Sequence, residues 1–416
     1  MGTLYEIKDE EERVILAAVC LKDEAMTIEC LDELEELAKT AGAVTVGRVI
    51  QNRESIHPGT YIGKGKIEEV RQMVEELDAT GIVCDDELTP AQLRNLEEQL
   101  NIKVIDRTVM ILDIFAQHAS TKEGKIQVEM AQLKYRSSRL TGLGVSLSRL
   151  GGGIGTRGPG EKKLEVDRRL IRDRISQLGK ELEQVKRSRD TLRKQRMKSL
   201  VPVVAIVGYT NAGKSTLLNT LTNAGVLEED KLFATLDPST RNLVLESGQQ
   251  ILFTDTVGFI RKLPHHLINA FRSTLEEAKY ADIILHVVDS SNPAMVSQMK
   301  TVYETLNSLE VTDKTYITAF NKQDRLEEET VLKDTTADYT VKISAKTGEN
   351  LKELLDIIEM ILKERKVFLE KTFEYSEAGK IQEIRKYGQL LEEKYTENGI
   401  FVKAYLPTEI YNKICQ

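Results

Sequence analysis

Apolar positions along this chain follow two periods, and the changes between them divide it into segments. Residues 14–19 form a continuous apolar run and 44–50 alternate, both as strands do. Leu31, Leu34 and Leu37 carry helical spacing through 27–41, and 67–77 reads the same way. Short strands are predicted at 81–84 and 103–106. Between them Thr89-Pro90 offers an N-cap and first helical residue for a helix through Leu100. Alternating strands and helices predict a small α/β domain over 1–110 with a largely parallel sheet.

Helices follow at 110–119 and 128–140. In a longer one Leu164, Ile171, Ile175, Leu178, Leu182, Val185 and Leu192 step by about three and four. The spacing predicts an antiparallel coiled pair, the arm of a region spanning 111–200. The stretch from Gly142 to Gly160, with glycines at 151–153, 155, 158 and 160, is too glycine-rich for a helix or strand interior. It suits a functional loop or a flexible linker. Buried strands are predicted at 203–207, 250–255, 282–288 and 315–320, within a domain over 201–365. The tail, 366–416, reads as strand 367–375, helix 378–387, and strands 389–395 and 399–406 around Glu397-Asn398-Gly399, then a short helix: a small α+β domain.

Composition adds one asymmetry. The chain of 416 residues is 41% hydrophobic and 30% charged, with net charge −8. Of its 58 Lys+Arg and 66 Asp+Glu, residues 121–200 hold 21 and 9, leaving 37 and 57 elsewhere. A basic middle in an acidic chain suits a polyanion such as nucleic acid, or is simply a solvated helical face. Arg149, Arg157, Lys162, Lys163, Arg168, Arg169 and Arg172 are the candidate RNA contacts, on an arm suited to shape and phosphate reading. Tyr135 is the lone aromatic there, which disfavours base stacking by the arm. Scattered cysteines, no secretory signal and no apolar run of about 18 residues lead to the expectation of a cytoplasmic protein without membrane insertion; a monomer and no DNA partner are further expectations.

The chemistry concentrates after residue 200. Gly208-Tyr209-Thr210-Asn211-Ala212-Gly213-Lys214-Ser215, followed by Thr216, has Walker A spacing between a strand and a helix. Its backbone N–H groups can cradle phosphates, Lys214 can reach the β and γ phosphates, and Ser215 can hold Mg²⁺. A Thr-rich segment over 231–241, containing Phe233, Ala234, Thr235, Leu236 and Asp237, lies where a nucleotide switch loop belongs. Asp255-Thr256-Val257-Gly258 closes a strand; Asp255 would hold Mg²⁺ through water and the Gly258 N–H would sense a γ-phosphate. Asn321-Lys322-Gln323-Asp324 selects guanine, because the Asp324 carboxylate can accept from the ring N–H and the exocyclic amine, and Ser344-Ala345-Lys346 suits the base. No catalytic residue is evident: Phe259 stands where many GTPases orient water with Gln, predicting slow hydrolysis that a partner raises. His265 and His266 are either water-positioning groups or structural. Tyr61-Ile62-Gly63-Lys64-Gly65-Lys66 is compatible with a phosphate loop or a plain turn.

Together these residues resemble the HflX family of ribosome-associated GTPases (TRAFAC class, Obg-HflX-like) over nearly the whole chain. The resemblance rests on Tyr61–Lys66, Val104-Ile105-Asp106-Arg107-Thr108, residues 127–140, 151–165, 208–216, 233–241 and 255–267. Lys162-Lys163 departs from it, the family often having polar uncharged residues there. The fold implied is α/β and multi-domain: a P-loop GTPase domain, an N-terminal α/β domain with a helical arm, and a small α+β C-terminal domain. The resemblance implies a cytoplasmic GTPase on the large ribosomal subunit and its rRNA, splitting stalled ribosomes in some members, with the arm toward the peptidyl-transferase region. It assigns Thr235 to Mg²⁺ in the triphosphate state and Asn211 to a possible K⁺ site, and leaves room for some ATP use. The alternative is a nucleotide-gated RNA-binding or assembly protein without splitting activity.

Overall fold

The computed structural model describes residues 11–147, 159–198, 201–222, 232–233, 239–263, 277–326, 332–364 and 366–415; at 141–147, 159–164, 190, 192–198 and 408–409 it describes the backbone alone. Two compact units result: residues 1–184 with 231–236 and 261–271, and residues 185–230 with 237–260 and 272–416.

In the first unit β1 (Arg13–Cys20), β2 (Val44–Asn52), β3 (Gly81–Cys84) and β4 (Lys103–Asp106) form a parallel sheet in the order β2-β1-β3-β4. Buried on both faces, β1 and β3 read as continuous apolar runs. Helices α1 (Glu24–Thr40), α2 (Lys64–Glu76) and α3 (Pro90–Leu100) carry the connections, and α4 (Arg107–His118) follows β4. Ile67 and Val70 of α2 and Leu96 and Leu100 of α3 bury against Ile15, Ala17, Ile82 and Val104. The Thr89-Pro90 start is a capping box closed by Gln92.

Helices α5 (Lys122–Leu147) and α6 (Pro159–Lys198) make the arm. Arg174 Nε donates to Glu129 Oε1 at 2.8 Å, and Arg168 Nη2 to the Leu140 carbonyl at 2.7 Å. As α5 advances from 129 to 140 its partner recedes from 174 to 168, so the two helices are antiparallel. Leu178 and Leu182 of the heptad series are buried. The loop expected from Gly142 begins later, because α5 continues through Gly142 and Gly144 to Leu147. Each glycine costs about 1 kcal/mol relative to Ala, yet extending an established helix needs no new nucleus.

The second unit is built on β5 (Val203–Gly208), β6 (Ser239–Val244), β7 (Gln250–Asp255), β8 (Ile283–Asp289), β9 (Thr315–Asn321) and β10 (Tyr339–Lys342), ordered β10-β9-β8-β5-β7-β6. Every pairing is parallel except β6 with β7. The predicted switch segment therefore ends on an antiparallel edge strand, since Ser239, Thr240 and Arg241 pair with β7. Leu217 and Leu218 of α7 (Lys214–Thr222) and Leu354 and Ile358 of α9 (Leu351–Glu364) pack with Val204, Ile206 and Leu285. Met299 of α8 (Met295–Ser308) packs with Val288 and Phe320.

The C-terminal sheet is antiparallel: β11 (Lys366–Phe373), β12 (Gln389–Thr396) and β13 (Gly399–Pro407), ordered β11-β13-β12. Helices α10 (Ala378–Tyr387) and α11 (Thr408–Cys415) supply Ile381, Ile384, Ile410 and Ile414 to a core with Leu369, Phe373, Val402 and Leu406. Among the described residues no helix is long and apolar enough to cross a membrane.

Candidate nucleotide site

Strand β5 occupies the middle of its sheet, and the chain turns at its carboxyl end into the loop 208–213 before α7. That end of a parallel sheet is where ligands bind in doubly wound folds. Gly213 has φ +93°, and a Cβ there would stand 2.3 Å from Asn321 Nδ2. Glycine is therefore required both by backbone conformation and by close approach. Asn321 fixes the loop from the other side. Its Nδ2 donates to the Ala212 carbonyl at 2.8 Å, and its Oδ1 accepts from the Ala345 N–H at 2.8 Å. One side chain thus joins the phosphate loop to the 344–346 loop.

Lys214 is buried, and its Nζ donates to the Tyr209 carbonyl at 2.8 Å. Burial lowers the ammonium to about 8, with Asp255 pulling it back up and Lys322 pushing it down. Ser215 Oγ donates to Asp255 Oδ2 at 2.9 Å. Among the described residues the buried Thr210 Oγ1 has no hydrogen-bond partner. A hydroxyl and a carboxylate side by side are hard oxygen donors suited to Mg²⁺, which takes one or two protein ligands and fills its shell with phosphate and water. The residues present fit both the ion and a polyphosphate.

Gly258 has its own packing reason. A Cβ there would lie 2.8 Å from Thr210 Cγ2 and 3.1 Å from Lys214 Nζ. The next residue, Phe259, is buried, and its backbone zips to the phosphate loop. Its N–H donates to the Gly208 carbonyl at 3.1 Å, and its carbonyl accepts from the Thr210 N–H at 2.8 Å. The position after Gly258 serves packing and brings no polar group.

Past the end of β9, Ser344 Oγ donates to Asp324 Oδ1 at 2.6 Å, which orients the carboxylate. Lys322 Nζ donates to Asp289 Oδ2 at 2.7 Å, a partner at the end of β8 that the motif reading missed. Asn211, with φ +59°, is exposed within the loop. Thr256 is held by its Oγ1 donating to the Ile206 carbonyl at 2.8 Å.

Other sequence-predicted residues fall elsewhere. Phe233 belongs to the first unit, stacked edge-on against Phe115 with centroids 4.6 Å apart. Ala234, Thr235, Leu236, Asp237, His265 and His266 lie outside the described residues, as do Arg149 and Arg157, and the side chains of Lys162 and Lys163. Arg169 and Arg172 are exposed on α6, and Arg168 is half-buried. In Tyr61–Lys66 the turn reading is favoured. Tyr61 is buried with its hydroxyl donating to Asp86 Oδ2 at 2.7 Å, and the Gly63 N–H donates to Gln51 Oε1 at 2.8 Å.

Reading by motif also missed a charged cluster in the first unit. Arg107 is buried between Asp85, at 2.7 Å, and Glu33. Lys262 bonds Asp85 and Asp86, and Arg261 bonds Glu29 at 2.9 Å. Burial would lower the Lys262 ammonium, but Asp85 and Asp86 outweigh it and hold it above its ordinary value. These partners are 176 and 177 residues apart and leave no local trace in the sequence.

A central phosphate loop, a Ser–Asp couple beside it and a carboxylate just past the end of β9 are the architecture of a P-loop GTPase. Residues 203–322 match the family described as 50S ribosome-binding GTPase; 29–116 match GTP-binding GTPase N-terminal, and 118–196 its middle region. The chain is 68% identical to GTPase HflX of Lacrimispora saccharolytica over 99% of this chain and 97% of that one. It is 40% identical to GTPase HflX of Escherichia coli over 85% and 84%. A GTP-binding protein of Sulfolobus solfataricus solved with GDP shares 25% identity at TM-score 0.44, covering 83% of this chain and 98% of that one. The chain belongs to the HflX family of GTPases. It binds GTP and GDP and hydrolyses GTP, with the usual dependence on Mg²⁺.

Proposed function

We propose that this GTPase acts on the large ribosomal subunit, gripping ribosomal RNA through the α5–α6 arm and dissociating or rescuing ribosomes. The observation that carries this reading is the arm itself, an antiparallel pair held by Arg174–Glu129 and Arg168–Leu140. Arg169 and Arg172 face solvent there, as phosphate contacts must. The description of the family matching 203–322, a 50S ribosome-binding GTPase, supports the same partner.

At the nucleotide, Gly208–Thr216 wraps the phosphates and Lys214 neutralises them. Ser215 and Thr235 would hold Mg²⁺, with Asp255 acting through water, and the ion would supply charge neutralisation to the phosphates. Thr256, Val257 and Gly258 report the γ-phosphate. Asn321, Lys322, Gln323 and Asp324, with Ser344, Ala345 and Lys346, hold guanine. The segment 233–237 acts as the switch, and Asn211 contributes to a K⁺ site. Buried Phe259 offers no group to orient water, so unaided hydrolysis is slow and the partner completes the site.

The test is sedimentation of ribosomes with the protein and GTP or GDP. Nucleotide-dependent conversion of monosomes into subunits is the expected result. Nucleotide-dependent binding without conversion would favour a gated RNA-binding or assembly protein.

A further inference from the structure

The C-terminal sheet covers one face with α10 and α11 and leaves the other open. Alternation along the strands places Lys366, Phe368, Glu370 and Thr372 of β11 on the open face, with Phe401, Lys403 and Tyr405 of β13 opposite. An antiparallel sheet commonly faces solvent on one side, but with polar residues. Here three aromatic rings stand outward. Phe368, 44% exposed, pairs across the strands with Tyr405, ring centroids 5.3 Å apart. Phe401 lies four residues from Tyr405 on the same strand, about 13 Å at the usual rise, which leaves room for two splayed bases.

The charges on this face suit a polyanion. Lys363 stands 5.4 Å from the centre of the Tyr405 ring, and Lys403 stands 5.4 Å from that of Phe401. Lys366 and Lys394 flank the rings on the neighbouring strands, Lys394 opposite Phe401. Two glutamates, Glu370 and Glu392, share the face: Lys403 engages both, at 3.2 and 3.6 Å, Lys394 also pairs with Glu392, and Lys366 Nζ donates to Gln249 Oε1 at 2.5 Å. Residues 366–416 as a whole are balanced, with 8 Lys+Arg and 8 Asp+Glu. Beside the open rings four lysines, Lys363, Lys366, Lys394 and Lys403, stand against the two glutamates. Aromatic rings on an exposed sheet, flanked by cations, bind single-stranded nucleic acid by stacking, with little sequence preference.

We propose that the open face of β11 and β13 is a stacking platform for unpaired RNA nucleotides, with Phe368, Phe401 and Tyr405 taking bases and Lys363, Lys366 and Lys394 taking phosphates. This surface is separate from the arm and does not depend on the ribosomal reading. The arm, poor in aromatics, suits duplex; the platform suits single strand.

The experiment uses the full chain with a fluorescein-labelled single-stranded 12-mer RNA and a 12-base-pair duplex. Anisotropy is read for the native protein, Phe368→Ala/Tyr405→Ala, Phe401→Leu and Arg169→Glu/Arg172→Glu. Ultraviolet cross-linking with peptide mapping runs in parallel. The platform variants are expected to lose about tenfold or more in single-strand affinity, with duplex binding and basal GTP hydrolysis unchanged. Cross-links are expected in residues 366–373 or 399–407, and they persist in the arm variant. Unchanged single-strand affinity with no cross-link in these strands overturns the proposal. Lost binding to ribosomal particles without RNA cross-links also overturns it, assigning the face to a protein instead. Unchanged basal hydrolysis and thermal midpoint show that each variant folds.

Discussion

Lys262 Nζ donates to Asp86 Oδ1 at 2.7 Å. The lysine follows Gly258 by four residues, and the aspartate follows β3 of the N-terminal sheet. The same ammonium bonds Asp85, which is buried against Arg107. Lys262 is therefore held electrostatically within the first unit.

Lys262→Met removes this tie. It should destabilise the first unit by about 1–2 kcal/mol, discounted because the lysine is partly exposed and Arg107 remains beside Asp85. Release of a fluorescent GDP analogue should quicken several-fold. Asp86→Asn should act in the same direction but more weakly, since Lys262 keeps Asp85, and the double variant should cost less than the sum because the Lys262–Asp86 bond is shared. Additive effects in a stopped-flow double-mutant cycle would dissolve the link.

Asp324→Asn should cost at least about a hundredfold in GTP affinity, because the amide presents a donor to the exocyclic amine of guanine. Xanthosine triphosphate, with a carbonyl there, should bind the variant better than GTP does. Competition titrations read both, and retained GTP preference would misplace the base.

Ser215→Ala and Asp255→Asn each remove part of the hard-oxygen pair. GTP affinity in millimolar Mg²⁺ should fall about tenfold or more in each. Binding in EDTA should change far less. Equal losses with and without the ion would indicate damage to the loop instead.

The Lys214 ammonium, lowered to about 8 by burial, makes binding pH-dependent. A triphosphate beside Nζ raises that pKa, so the complex holds a proton that the free protein loses above pH 8. Affinity should fall up to about tenfold per unit as pH rises from 8 toward 10. Calorimetry in two buffers of different ionisation enthalpy should register proton uptake at pH 8.5. The sign for folding is opposite: the unfolded chain holds the Lys214 proton longer, so stability gains from this group as pH rises through 8.

Much of the fold was legible because local pattern and tertiary role agree. The apolar run 203–207 became β5, and helix 378–387 became α10. Thr89-Pro90 capped α3 because side chain and ring satisfy the same helix end. The edge strand β6 was missed because Ser239, Thr240 and Arg241 carry loop chemistry, and pairing with β7 overrides it. At the site the motifs named Ser215, Asp255, Asn321 and Asp324, and the chain brings each beside a partner. The Asp289 partner of Lys322 and the Lys262 cluster were silent, since ion pairs between distant segments have no period to read.

The most direct test of the account is GTP hydrolysis with and without purified large ribosomal subunits, at low and raised salt. A large stimulation that weakens as salt rises is expected, from a basic arm on RNA and a site that Phe259 leaves incomplete. Binding without stimulation, or neither, would contradict the claim that the ribosome completes this GTPase.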